Sequence, residues 1–245
     1  MNGLIALLGA GEYLQVMEPI DRYLMDSLGL TGRKARVVCL ATAAGREGDG
    51  SINRWSRMGM DHFERLGAEP TAPRIIDRES ANNPAFEPVL EAADIIYFSG
   101  GDPVYLYQTL QGSRAWAAAQ KAWARGAIYA GCSAGAMILA QSMPNLRMAG
   151  LNSLSGFGLF PAAYVFPHFD AMPVIFKPMV QAMRRSLKDG QFILGIDENT
   201  ALVGKLQGEW RVRGEGRVHL IRARAQSDYG PDDLVEIQPV GNETS

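Results

Sequence analysis

The chain has 245 residues, a length that suits one large domain or two small ones. Hydrophobic residues make up 47% and charged residues 20%, the balance of a globular protein that can bury most of its surface without staples. The 24 basic and 26 acidic residues nearly cancel, to a net charge of −2, which argues against nucleic acid or an anionic membrane as partner.

Short apolar runs alternate with helical patterns along the chain. GLIALLG predicts a first buried strand over residues 4–8 rather than a signal peptide, because no basic segment precedes it. Residues 17–28 carry apolar side chains at helical spacing, ARVVCLATAAG predicts a second strand, and 52–66 a helix that places His62 on its surface. PRIID is expected as a third strand, 85–92 as a short helix and ADIIYFSGG as a fourth strand. Helices are expected over 103–110 and 114–125, a fifth strand at GAIYAG, and a helix start over 134–140. Strands that are apolar throughout and separated by helices predict a parallel sheet covered on both faces.

Residues 141–166 lack periodicity and read as a long loop, a length at which loops tend to be functional, here as a lid. A helix over 174–187 and the strand FILGI follow. The tail reads as β-hairpin strands: TALVGKL, EWRVRG, RVHLIRA and LVEIQPV, with turns at Gly208 and around Gly214 and Gly216. No repeat or linker divides the chain, so a single domain over 1–245 is expected. No apolar stretch approaches the roughly 20 residues of a membrane span, and Cys39 and Cys132 make no disulfide framework. Together these predict a cytoplasmic protein.

The strongest local signal is Gly131-Cys132-Ser133-Ala134-Gly135, a G-x-S-x-G pentapeptide between an apolar strand and an apolar helix. Chemistry at a serine here needs a sharp strand-to-helix turn with the hydroxyl at its apex. Glycines two before and two after relieve backbone crowding, and the helix start aims free N–H groups at the same point. Centring the motif on Cys132 would put Ala130 and Ala134 at the glycine positions, so the frame favours Ser133, with Cys132 facing the core.

A nucleophilic serine needs a base, and the chain has three histidines. His62 lies in a helix and His219 in a late strand. His168, in VFPHFDAMP after the irregular segment, is the best candidate. The acid that orients it is expected in GIDENTALV, at the carboxyl end of a buried strand. Successive side chains there point opposite ways, so one of Asp197 and Glu198 faces the site, and the residues themselves leave the choice open. A second glycine pair, in Ser99-Gly100-Gly101-Asp102-Pro103, also follows a strand. It can supply one oxyanion N–H, with Ala134 supplying the other, while Asp102 and Pro103 read as the N-cap and first position of a helix.

Four ordered blocks, GGDPVYLYQTL, AGCSAGAMIL, PHFD and GIDENTALV, with the late GEGRVHLI, resemble the serine peptidase family of aspartyl dipeptidase (dipeptidase E) and cyanophycinase over roughly residues 4–222. The resemblance implies an α/β fold similar to the class I glutamine amidotransferase domain: a mostly parallel, flavodoxin-like sheet flanked by helices. It also implies a Ser–His–Glu triad. Carried over by motif, Ser133 is the nucleophile, His168 the base and Glu198 the acid, with the backbone N–H groups of Gly101 and Ala134 as oxyanion donors. Members cleave peptide bonds next to aspartyl residues. This chain departs from the cyanophycinase pattern after the paired glycines, where it has Asp102 and Pro103. The arginine-rich segment that follows the histidine is echoed only by Arg184 and Arg185.

The expected function is therefore hydrolysis of a small peptide or isopeptide by a serine peptidase, with no metal or organic cofactor. Asp102, Asp170 and Arg184 are substrate-binding candidates, Arg184 as a carboxylate anchor. An esterase using the same triad, or a non-catalytic ligand-binding module, are the alternatives. A homodimer would follow the usual symmetry of soluble oligomers.

Overall fold

A computed structural model describes residues 2–144 and 153–237. The first half alternates strands and helices as the periodicity predicts. In chain order come β1 (Ile5–Leu8), α1 (Glu18–Ser27), β2 (Arg36–Leu40), α2 (Asp49–Arg65) and β3 (Glu69–Thr71). Then come α3 (Glu87–Glu91), β4 (Ile95–Phe98), α4 (Pro103–Leu110), α5 (Arg114–Arg125), β5 (Ile128–Cys132) and α6 (Ala134–Met137). Local chemistry marks the ends. Asp102 accepts hydrogen bonds from Val104 N and Tyr105 N at the start of α4, and Ser113 caps α5 through Trp116 N.

β1 to β5 lie side by side and parallel, in the order β1-β5-β4-β2-β3. Side chains alternate across this sheet. Ile5, Leu7, Val38, Leu40, Ile96 and Phe98 enter the core under α5 and α6. Ala6, Leu8, Val37, Cys39, Ile95, Tyr97 and Cys132 enter a second core under α1 and α2. Both faces of β1, β4, β5 and most of β2 are buried, so these strands are apolar along their buried length, whereas the edge strand β3 (Glu-Pro-Thr) stays at the surface. Each fully covered aliphatic side chain contributes about 1.5–3 kcal/mol relative to exposure.

The second half adds β6 (Ser142–Pro144), β7 (Ser153–Ser155), β8 (Tyr164–Phe166), α7 (Lys177–Arg185), β9 (Ile193–Ile196) and β10 (Thr200–Gly204). It closes with β11 (Trp210–Gly214), β12 (Val218–Ile221), β13 (Gln226–Tyr229) and β14 (Leu234–Val235). β10, β11 and β14 extend the main sheet antiparallel beyond β1, giving eight strands. A separate sheet, β13-β12-β9-β8, carries the FILGI strand. No helix among the described residues is long and apolar enough to cross a membrane.

Three expectations are corrected. PRIID is not a strand: the third strand is β3, paired with β2, because Pro73 lacks an N–H and Ile75 N turns back onto Pro73 O. The 141–166 segment is not irregular throughout, since it holds β6, β7 and β8; residues 145–152, on which a lid would draw, lie outside the described residues. His62 is not on the surface of α2 but fully buried, its Nε2 2.8 Å from Asp21 Oδ2 on α1. The sequence around it is polar, but a buried partner on another helix offsets part of the cost of burial. Burial pushes the Asp21 carboxyl up, and the His62 bond opposes that rise.

Candidate active site

The site is built at the carboxyl ends of β5, β4 and β1, the edge where open α/β sheets bind ligands. β5 ends at Cys132 and the chain reverses at once into α6, leaving Ser133 at φ 49°, ψ −105°. The two glycines of the pentapeptide are required by contact. A Cβ on Gly131 would stand 2.5 Å from the Gly135 carbonyl, and one on Gly135 2.7 Å from Phe98 O. His168 also has φ 49°. A non-glycine residue held in this region costs about 1–3 kcal/mol, and such strain clusters at functional sites.

Three elements distant in sequence converge here. His168 Nε2 lies 3.3 Å from Ser133 Oγ, and His168 Nδ1 2.7 Å from Glu198 Oε1. A carboxylate only accepts, so Nδ1 carries the proton, and the Nε2 lone pair is left facing the serine hydroxyl. One main-chain bond and one side-chain bond hold the histidine and the acid together: Phe169 N donates to Ile196 O, and Glu198 N to the Asp170 carboxylate oxygen Oδ1. The His168 and Glu198 side chains are 46% and 42% exposed, so the site is open to solvent.

The Gly100–Gly101 loop lies against the elbow, where a Cβ on Gly100 would come 3.3 Å from Ser133 Cβ. Ala134 opens α6, so its N–H has no partner within the helix. Beneath them sits Glu12, a residue the motif reading missed. Gly100 N donates to its Oε1 at 2.8 Å, and the Cys132 thiol reaches its Oε2 at 3.0 Å. Tyr13 OH pairs with Ser99 Oγ at 2.8 Å. An acidic residue directly after the glycine-rich end of β1 was the available signal. Burial first, and then the Glu12 carboxylate, hold the Cys132 thiol well above its usual range. A thiol so placed is not a nucleophile.

The remaining candidates part company. Asp197 faces away from His168, its Oδ1 3.0 Å from His219 Nε2 and its Oδ2 accepting from Arg217 N. Asp170 spends an oxygen on Glu198 N. Arg184 stands at the end of α7, its Nε donating to Arg222 O at 2.9 Å. Among the described residues no hydrogen bond or ion pair links Arg184 to Ser133, His168 or Glu198.

A family model, peptidase family S51, matches residues 5–209 of the chain. The chain belongs to peptidase family S51. This S51 chain is 34% identical to a solved peptidase from an acI-B1 Actinobacterium, with a TM-score of 0.86 over 96% of this chain and 97% of that one. It is 26% identical to the cyanophycinases of Synechococcus elongatus and Thermosynechococcus vestitus, over 96% of its own length and 73% of theirs. Membership makes the protein a serine peptidase of mixed α/β fold, as the motif blocks led one to expect.

Proposed function

We propose that this S51 peptidase hydrolyses a small peptide or isopeptide next to an aspartyl residue, through a Ser133–His168–Glu198 triad and an acyl-enzyme. The observation that carries the reading is the chain of contacts from Glu198 Oε1 through the His168 ring to Ser133 Oγ. Its 3.3 Å link to the serine is the loose spacing usual before substrate binds. His168 takes the Ser133 proton as Oγ attacks the carbonyl, and Glu198 stabilises the imidazolium. The oxyanion rests on Gly101 N–H and Ala134 N–H. His168 then gives its proton to the leaving amine, and water repeats the cycle on the ester. The aspartyl preference is supported by the cyanophycinase relatives. A cytoplasmic location is supported by two cysteines that are both free and buried.

A fluorophosphonate probe tests the triad. The expected result is one adduct on Ser133, absent from Ser133→Ala and His168→Ala; an adduct on Cys132, or none on folded protein, would sink it. Hydrolysis of Asp-X dipeptides and β-aspartyl peptides then tests the substrate class.

Glu12 anchors the loop that bears Gly101. Glu12→Ala is expected to lower kcat about tenfold at little-changed KM, through misplaced oxyanion donors. Glu12→Gln, which keeps an acceptor for Gly100 N–H, should lose less. Steady-state kinetics on both variants provides the check, and equal losses would count against the loop-anchoring role.

A further inference from the structure

Next to the triad stands a second histidine with two carboxylates of its own. His219 Nε2 is 3.0 Å from Asp197 Oδ1, and His219 Nδ1 is 2.8 Å from Asp228 Oδ1. The His219 side chain is 14% exposed and that of Asp197 10%. Asp197 immediately precedes Glu198. On its face the His219 ring packs against Phe169, with centroids 4.7 Å apart, and Phe169 immediately follows His168. Phe169 lies so close over β9 that a Cβ on Gly195 would come 2.7 Å from its ring. One imidazole therefore touches the chain neighbour of the triad's acid and the chain neighbour of its base.

Counting protons gives this contact a charge requirement. Ionised carboxylates only accept, and a neutral imidazole has a single N–H, so it can satisfy one of the two. An imidazolium donates to both at once. His168 differs, because its second nitrogen faces a hydroxyl that can donate to it. We infer that His219, as an imidazolium bridging Asp197 and Asp228, is a positioning residue that holds Glu198 and His168 in register for the reaction. The inference rests on the triad reading above.

The charged and titratable groups around His219 are few. Asp197 faces it from the end of β9 and Asp228 from β13, with Arg217 at the start of its own strand. Asp170 and Lys177 line the adjoining cleft from the segment after His168. Asp228 is held below the usual carboxylate range, first by the Gln226 side chain and also by the His219 bond, with burial opposing. Loss of the His219 proton leaves a ring lone pair against a carboxylate, so one bond opens and the Asp197–Glu198 turn loosens. Labelling at Ser133 should therefore slow on the alkaline side once the bridging cation is gone.

The test is the pH dependence of fluorophosphonate labelling at Ser133 between about pH 5 and pH 10, in wild type, His219→Gln and Asp228→Asn. Melting temperatures are measured alongside, and nitrogen-15 NMR of the wild-type ring nitrogens is recorded across the same range. The inference expects both His219 nitrogens to be protonated where labelling is fastest, one proton lost across the alkaline limb, and labelling about tenfold slower in folded His219→Gln without that limb. A neutral His219 throughout the active range would overturn it, as would a folded His219→Gln with the wild-type profile. Should His219→Gln not fold, Asp228→Asn and the wild-type NMR titration decide, by whether the limb and the ring titration coincide. A wild type unlabelled at every pH would strike the triad itself, and the NMR result would still show whether the bridging cation exists.

Discussion

Ser133→Ala is expected to lower kcat for peptide hydrolysis by roughly 10⁴–10⁶-fold, leaving only what the oxyanion donors and substrate binding supply. No neighbouring group takes over. The Cys132 thiol is fully buried, points to Glu12 and is held well above its ordinary range. Stability should change little, because Ser133 Oγ meets the half-exposed His168 rather than the core, and alanine meets the same positive φ that serine does. Steady-state kinetics against a cleaved dipeptide, beside the melting temperature, is the measurement. A variant that retains a tenth of the activity would remove Ser133 from the mechanism.

Glu198→Gln should cost roughly 10²–10⁴-fold in kcat, because an amide can turn its NH₂ to His168 Nδ1 and stabilise the wrong tautomer. The lower end of that span reflects exposure: Glu198 is 42% exposed, and water can take over part of its task. Asp197→Asn should cost only about tenfold, since among the described residues no hydrogen bond joins Asp197 to His168, and it acts through His219 and through its chain neighbour Glu198. Comparing kcat for the two variants separates two adjacent carboxylates that a sequence cannot tell apart. A larger loss in Asp197→Asn would reverse their roles.

What the sequence determined by itself is whatever depends on near neighbours in the chain. Strands buried on both faces are apolar along their buried length, so β1, β2 after Arg36, β4 and β5 were legible, as were the capped starts of α4 and α5. The strand–helix turn at Ser133 was legible for the same reason, because Gly131 and Gly135 crowd one another across four residues. Tertiary structure decided whatever depends on a partner far along the chain. His62 could be buried only because Asp21 on α1 meets it. Glu12 matters only because the end of β1 lies beside the ends of β4 and β5. Arg184 found the Arg222 carbonyl because α7 packs on the second sheet, which no local pattern announced. Which of Asp197 and Glu198 stands beside His168 was decided the same way. Alternation along the chain dictates that they point apart, but which of them meets His168 depends on how the end of β9 is gripped by Asp170 and Arg217, residues contributed by other segments of the fold.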